Sequence, residues 1–334
     1  MESINLSLTK IHELAMQCLL AHDCDEQNAR AIADKITQAE ADLCHSHGLY
    51  RLPWYCQGLD SGRVNGQAKP SVEQLAPGVI QVDGDNGYAP LGQAIAHQPL
   101  VDCARANGIA SLAFTNMFHI AAMWPEVEKL AMDGLCAFAF TSSYPYVAPA
   151  GGKDPLYGTN PMGFAWPRIG NPPLVFDQAS SSMARGEIEL CARDGLSVPD
   201  TAGIGSDGKP SNDPHVVLQG AQLPFGGYKG ASLALMVELL VGALIGDLLS
   251  FESLADDAGN DDPPKGGELM IAIDPTKHGD SEGFMARGER LFEAVLSQEG
   301  TRLPGNRRFE NRLVTAELGI DVPISLHNDI RALL

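Results

Sequence analysis

The stretch Gly203-Ile204-Gly205-Ser206-Asp207-Gly208 has the G-x-G-x-x-G spacing of a dinucleotide-binding loop, and its surroundings reject that reading. Such a loop closes a strand and opens a helix, because the free amides of the helix N-terminus hold the pyrophosphate. Here Pro199-Asp200-Thr201 stands where the strand should be, and Lys209-Pro210-Ser211-Asn212-Asp213-Pro214 cannot open a helix. A surface turn is the reading left. Any nucleotide this chain binds is therefore held without a Rossmann loop.

Downstream, residues 231–249 form the longest apolar run, close to membrane-spanning length. Glu238 and Asp247 interrupt it, and each costs about 2.5–3.5 kcal/mol near a bilayer centre. The run reads as a buried soluble helix over 229–249, entered through Phe225-Gly226-Gly227-Tyr228, whose glycines allow close backbone approach. Residues 256–267 are acidic and rich in Pro and Gly, which predicts a solvated loop; the spacing does not match a calcium-binding EF-hand. A strand over 268–273, a helix from about 283 to 298 and a basic turn over 302–308 follow. Upstream, apolar residues recur at helical spacing over 9–21 (Ile11, Leu14, Ala15, Cys18, Leu19) and 26–43, with His22-Asp23 as the break. After a turn-rich 58–70 come a β-type run at 79–82, a turn at 83–87 and a helix over 90–106. Short apolar runs at 110–114, 135–141, 162–166 and 174–176 then alternate with polar loops and predict the strands of a mixed sheet.

With 334 residues and 44% apolar side chains, the chain can bury a sizeable core in two or three structural units, which excludes wholesale disorder. Basic residues number 23 against 42 acidic, a net charge of −19, so a nucleic-acid surface is excluded. The 35 glycines and 22 prolines, set against 6% aromatics, favour tight turns and an enzyme-like mixed fold over a bundle. Seven scattered cysteines, without a C-x-x-C pair, read as reduced and mostly buried thiols of a cytoplasmic protein. The opening MESINLSLTKIHELAMQCLL lacks the regions of a secretory signal, so no export is expected.

The densest polar cluster is Cys44-His45-Ser46-His47-Gly48-Leu49-Tyr50-Arg51. On a helix His47 and Arg51, four apart, share one face, placing a group that exchanges protons near neutral pH beside a guanidinium suited to grip a carboxylate. The competing reading makes Ser46 a helix cap and the other two surface residues. Zinc binding by Cys44, His45 and His47 is the weaker alternative, since no second Cys/His pair stands at ligand spacing. His119 lies between an apolar run and small residues that admit a planar ligand, or is a structural histidine. Tyr157-Gly158-Thr159-Asn160-Pro161 reads locally as a tight turn, and 177–187, small hydroxyl residues before an acid, as a helix start.

In this order, Ser46-His47-Gly48 with Arg51, Asn116 with His119, Gly158-Thr159-Asn160-Pro161, Phe176-Asp177 to Gly186, Gly226-Gly227-Tyr228-Lys229-Gly230 and Ile271-Ala272-Ile273-Asp274-Pro275 resemble the malate/L-lactate dehydrogenase family of non-Rossmann NAD(P)-dependent oxidoreductases. The resemblance covers about residues 8–320. Through 119–128 and 302–308 it is similar within that family to the Δ1-piperideine-2-carboxylate/Δ1-pyrroline-2-carboxylate reductases. It implies an α/β mixed fold: a non-Rossmann NAD(P)-binding domain with a central mixed, largely antiparallel sheet, over residues 76–283. A helical substrate and dimerisation domain built from both termini (1–75 with 284–334) completes it. The implied activity is NADPH-dependent reduction of a small cyclic imino acid by a cytoplasmic homodimer, with no nucleic-acid or membrane partner. The implied catalytic group is Ser46, His47 and an acid at Glu187, where aspartate is usual. Implied substrate contacts are Arg51, Thr159, Arg185 (where histidine is expected) and Gly186. Cofactor contacts carry over to His119, Ile120, Ala121, Ala122, Met123, Asp177, Gln178, Ala179, Tyr228 and Lys229, and to Arg302, Leu303, Pro304, Gly305, Asn306, Arg307 and Arg308; no metal is implied.

The chemistry fits independently. A cyclic imine bearing a carboxylate needs a cation for that carboxylate (Arg51), a proton for nitrogen (His47) and a hydride, which no side chain can donate. Arg302, Arg307 and Arg308 would favour NADPH by pairing with its 2′-phosphate, or simply balance neighbouring acids on a solvated turn. The competing readings are a 2-hydroxy-acid dehydrogenase of malate or lactate type, a silent nucleotide-binding protein that keeps the fold, and a metal-dependent hydrolase built on His45 and His47. Glu187 leans toward the imine, because a carboxylate stabilises an iminium cation.

Overall fold

The computed structural model describes residues 2–119 and 122–334. The two chain ends meet in an antiparallel ribbon of β1 (Ser3–Leu6) and β11 (Ile320–Pro323), with Ser3 opposite Pro323 and Leu6 opposite Ile320. Around it pack α1 (Leu8–Ala21), α2 (Glu26–Ala41), α3 (Leu52–Asp60) and α12 (Ile324–Arg331). Their shared core contains Leu6, Ile11, Leu19, Ile32, Ile36, Leu52, Tyr55 and Ile330. The apolar stripe read from α1, Ile11-Leu14-Ala15-Cys18-Leu19, is the face that is buried. Ser7 and Asp25 cap α1 and α2 by accepting from the amides of Lys10 and Asn28.

A seven-stranded sheet takes the order β2 (Ser71–Ala76), β3 (Val79–Asp83), β4 (Ile109–Thr115), β10 (Glu268–Ile273), β5 (Cys136–Thr141), β6 (Met162–Trp166), β7 (Leu174–Gln178). It is mixed and largely antiparallel: β3 and β4 run parallel, and every other neighbouring pair is antiparallel. Central strands such as Ile-Ala-Ser-Leu-Ala-Phe-Thr are almost continuously apolar because both faces are covered. On one side Ala110, Leu112 and Phe114 pack with α4 (Ala89–Asn107) and α5 (Trp124–Met132). On the other, Ala113, Phe140 and Leu269 meet Val237 and Val241.

The G-x-G-x-x-G stretch forms a two-residue strand, β8 (Gly203–Ile204), paired with β9 (Ala221–Gln222) and closed by a turn in which the Gly208 amide donates to the Gly205 carbonyl at 2.9 Å. No helix opens there; α6 (Arg185–Asp194) lies before the turn, and the six-residue α7 (Pro214–Gln219) begins only after it.

Three expectations change. The helix expected over 229–249 is α8 (Tyr228–Glu238), continued by a π-helical turn over Leu239–Leu244 that stops at Gly246, where φ is +80°. Buried Glu238 accepts from the Ser250 amide at 3.0 Å and from Asn160 Nδ2 at 2.8 Å, while Asp247 accepts from the Asn116 amide at 2.7 Å. Its acids thus tie α8 to its neighbours, and no helix among the described residues is long and apolar enough to cross a membrane. The segment 256–267 is not simply solvated: it follows α9 (Ser250–Asp257), and Asp257 and Asp262 are buried. Arg63 pairs with Asp256 at 2.7 Å and with Asp257 at 2.6 Å, and Ser61 donates to Asp262 at 2.7 Å. The basic turn 302–308 is half loop and half helix, because Gly305 (φ +87°) caps α11 (Asn306–Leu318). Before it, α10 (Phe284–Leu296) leans on the β6 side, with Phe284 edge-on to Trp166 and Glu289 paired to Arg168 at 2.6 Å.

Candidate active site

A cleft of about 930 Å³ opens between the helical layer and the sheet. Its first wall is the polar segment 44–51, which buried Glu40 of α2 holds by accepting the Leu49 amide at 2.8 Å and contacting His45 Nδ1 at 2.7 Å. A Cβ at Gly48 would stand 2.1 Å from Glu40 Oε1, so the tether requires glycine there. The result is two 3-10 turns, His45–His47 and Leu49–Arg51, instead of one α-helical face. His47 and Arg51 still share the cleft, since Arg51 Nε donates to the Ser46 carbonyl at 3.0 Å. His45 turns to Glu40, away from any zinc cluster with Cys44 and His47.

Ser46 Oγ and His47 Nδ1 are hydrogen-bonded at 2.9 Å. Burial and the neighbouring Arg51 charge lower the His47 pKa to about 4, so its imidazole is neutral at physiological pH. Trp124 presents its ring to His47 at 6.0 Å and is itself fixed by donating from Nε1 to Asp42 at 2.7 Å.

The opposite wall is the first turn of α6. Gly186 lies so close to Arg51 that a Cβ would sit 2.6 Å from Nη2. Arg185 and Glu187 line the cleft; Glu187 is exposed, and among the described residues no hydrogen bond joins it to Ser46 or His47. The carboxylate that reaches the arginines is Glu189, 3.2 Å from Arg51 Nη1 and 3.4 Å from Arg185 Nε. Sequence reading missed it, although its position four residues after Arg185 on a helix start was the available signal. Tyr146, Tyr144 and Trp54 also line the cleft and were not anticipated.

Thr159 faces the cleft, its amide donating to Ser143 Oγ at 3.1 Å. Asn160 is buried and bonds across to α8, which goes beyond a local turn. His119 lines the cleft, yet its ring is engaged by Thr141 and by the Gly267 carbonyl at 3.1 Å, and burial lowers its pKa to about 4. Asp177 accepts the amides of Met123 at 2.7 Å and Trp124 at 3.3 Å; burial, against the pull of those amides and Arg308, raises its pKa to about 6. Gln178, Ala179 and Arg308 complete this end, with Arg308 over the Trp124 ring at 5.0 Å.

Other residues carried over as cofactor contacts stand outside this lining among the described residues. Met123 and Leu303 are buried, Ala122 packs on the core, and Tyr228, Lys229, Arg302, Pro304 and Arg307 are exposed. Gly305 closes against the Val175 carbonyl, and Asn306 opens α11 beside it. Ile120 and Ala121 lie outside the described residues.

A mixed, largely antiparallel sheet without a Rossmann loop, carrying a serine-histidine pair beside an arginine in one cleft, defines a class of non-Rossmann dehydrogenases. The malate/L-lactate dehydrogenase family pattern matches residues 6–331, and the chain belongs to that family. A Δ1-pyrroline-2-carboxylate reductase of Pseudomonas fluorescens is 46% identical over 336 residues, covering 100% of this chain and 99% of the relative. A Δ1-pyrroline-2-carboxylate/Δ1-piperideine-2-carboxylate reductase of Pseudomonas aeruginosa is 45% identical, covering 99% of both. The crystal structure of Δ1-piperideine-2-carboxylate reductase from Pseudomonas syringae pvar. tomato superposes with a TM-score of 0.94 at 37% identity, over 99% of this chain and 100% of that one.

Proposed function

We propose that this chain reduces cyclic imino acids with NADPH, converting Δ1-piperideine-2-carboxylate to L-pipecolate and Δ1-pyrroline-2-carboxylate to L-proline. The observation that carries the reading is the meeting of Ser46, His47, Arg51 and Glu187 on one cleft, in a family whose full-length relatives bear these names. Arg51 grips the substrate carboxylate with its Nη atoms, Nε being committed to the Ser46 carbonyl. Thr159, Arg185 and Gly186 shape the remaining wall.

The depressed His47 pKa suits a neutral relay better than a stored imidazolium. With Ser46 donating to Nδ1, the ring proton is on Nε2 and passes to the imine nitrogen. The Ser46 proton moves to Nδ1 in the same step, so the ring stays neutral, and a solvent proton, relayed by water along the Glu187 carboxylate, restores the Ser46 hydroxyl. The Glu187 carboxylate also stabilises the iminium.

The residues present fit a nicotinamide dinucleotide. The cleft of about 930 Å³ exceeds what one small ring fills, and Arg308 gives an anionic ligand a guanidinium in a chain of net charge −19. His119, Asp177, Gln178 and Ala179 would hold it along one wall, Met123 acting from behind through its amide on Asp177, with Tyr228, Lys229 and the remainder of 302–308 at its outer end. Bound there, it supplies the hydride.

We further propose a homodimer, supported by the exposed Leu291 of α10 and Leu313, Val314 and Leu318 of α11. We also propose a substrate and dimer unit (1–75 with 284–334), supported by the β1–β11 ribbon and its shared core, and a cofactor unit (76–283) built on the large sheet, with β2 straddling the boundary and α10 contacting β6. Five buried and two half-buried free thiols support a cytoplasmic location.

The test follows NADPH oxidation with equal concentrations of both cyclic imines, pyruvate and oxaloacetate, then repeats the best case with NADH. The expected result is a cyclic imine with the highest kcat/KM and a preference for NADPH. A keto acid ahead of both imines by tenfold would make the chain a 2-hydroxy-acid dehydrogenase instead.

A further inference from the structure

We propose that Glu189 sets the charge selectivity of the substrate end, so that the cleft accepts an imino acid that becomes zwitterionic on protonation and discriminates against dianionic 2-oxo acids. The inference rests on the reading of Arg51 as carboxylate anchor. Two guanidiniums enter this end of the cleft, Arg51 from the 3-10 turn and Arg185 from the first turn of α6, and one carboxylate stands between them. Glu189 Oε2 is 3.2 Å from Arg51 Nη1 and Oε1 is 3.4 Å from Arg185 Nε.

Neither contact is an aligned hydrogen bond. Arg185 Nε is buried and donates to nothing among the described residues, and the Arg185 guanidinium rests on the Tyr146 ring at 4.3 Å. Glu189 therefore supplies charge without using up the donors. A structural clamp would show the bidentate geometry that Arg168 makes with Glu289, at 2.7 and 2.6 Å.

The charge count gives the consequence. Arg51 and Arg185 contribute two positive charges, Glu187, Glu189 and Asp261 three negative ones, and His47 is neutral, so this end of the cleft holds no surplus positive charge before substrate arrives. The cyclic imino acid, a zwitterion once His47 has protonated its nitrogen, brings one carboxylate for Arg51 and a cation beside the glutamates. A 2-oxo dicarboxylate adds two negative charges, and its second carboxylate meets an Arg185 already neutralised by Glu189. Removing the Glu189 charge frees Arg185 as a second anion anchor and turns selectivity toward dianions.

The test compares wild type, Glu189→Gln and Glu189→Asp, each with NADPH bound, for calorimetric affinity toward pyrrole-2-carboxylate and pyrrole-2,5-dicarboxylate. The two probes share one ring and differ by one carboxylate, so steric cost cancels between variants. Glu189→Gln is expected to raise the dicarboxylate-to-monocarboxylate affinity ratio by tenfold or more, and Glu189→Asp, which restores the charge, to hold it within threefold of wild type. The ratio of kcat/KM for oxaloacetate over the imine should move the same way. A ratio that rises less than threefold in Glu189→Gln, including one where both probes weaken equally, overturns the proposal and makes Glu189 structural. Because the calorimetric ratio needs no turnover, a wild type that reduces neither imine would sink the proposed function alone. A ratio that Glu189→Gln leaves unmoved, in an enzyme that does reduce them, would sink the inference alone.

Discussion

His47 and Arg51 divide the work at the site, and their replacement should separate it. The imidazole has one nitrogen committed to Ser46 and a pKa near 4, so it acts as a conduit for protons and contributes little to holding the substrate. His47→Ala should lower kcat by about 10²–10⁴-fold, the usual worth of a positioned acid or base, while NADPH affinity by fluorescence titration stays within twofold. Equal losses in both would make His47 a structural residue. Arg51 binds the carboxylate in ground state and transition state alike. Arg51→Ala should raise KM for the imine by about 10–100-fold, the cost of losing hydrogen bonds to a charged group, with a smaller change in kcat. An unchanged KM would remove Arg51 from the carboxylate role. Both residues were legible in sequence because their chemistry is specific, whereas Glu189 was not, since a glutamate on a helix is normally a solvated side chain.

Among the elements, the segment 44–51 shows how a single glycine fixes catalytic geometry. Glu40 is buried on α2 and accepts the Leu49 amide; a methyl group at residue 48 would stand 2.1 Å from its Oε1 and 2.5 Å from its Cδ. Gly48→Ala must expel that carboxylate, leaving a buried amide unpaired at a cost of about 1–3 kcal/mol. The expected outcome is a urea midpoint lowered accordingly, together with a loss of kcat/KM larger than that at Gly78, where a Cβ comes no nearer than 3.4 Å to the Ile109 carbonyl and substitution to Ala is the control. Equal activity in the two variants would show that the Glu40 tether does not position Ser46 and His47. Local pattern identified β6 and β10 at their observed limits and α1 by its buried stripe. It missed the change of α8 to a π-helical turn after Glu238, a residue whose carboxylate bonds to Ser250 and Asn160, contacts remote in sequence. It also treated 44–51 as one helix, because spacing alone does not reveal the Glu40 tether.

For the whole molecule, the strand order was not written in any local pattern: β10 comes from the last third of the chain yet lies between β4 and β5, and only long-range burial decides that. Buried titratable groups carry a similar long-range signature in the pH dependence of stability. His47 and His119 have pKa values lowered to about 4, so the unfolded chain takes up protons that the native state refuses, and stability falls as pH drops from about 6.5 through 4. Asp177 works in the opposite sense. Its folded pKa is raised from 3.8 to about 6, so its contribution is fully present below pH 3.8 and is lost as pH rises through 6. At about 1.36 kcal/mol per pKa unit that contribution reaches at most about 3 kcal/mol, less to the extent that water reaches the half-buried carboxyl. Asp177→Asn keeps an acceptor for the Met123 and Trp124 amides and removes the titration. The variant should therefore gain stability relative to wild type by about 1–3 kcal/mol between pH 4.5 and pH 7, and lose stability more steeply than wild type on acidification. Urea denaturation of both proteins at the two pH values measures the difference directly. A stability gap that is the same at both, within about 0.5 kcal/mol, would mean that Asp177 ionises freely in the folded protein and that the cleft wall it anchors is wetter than its packing implies.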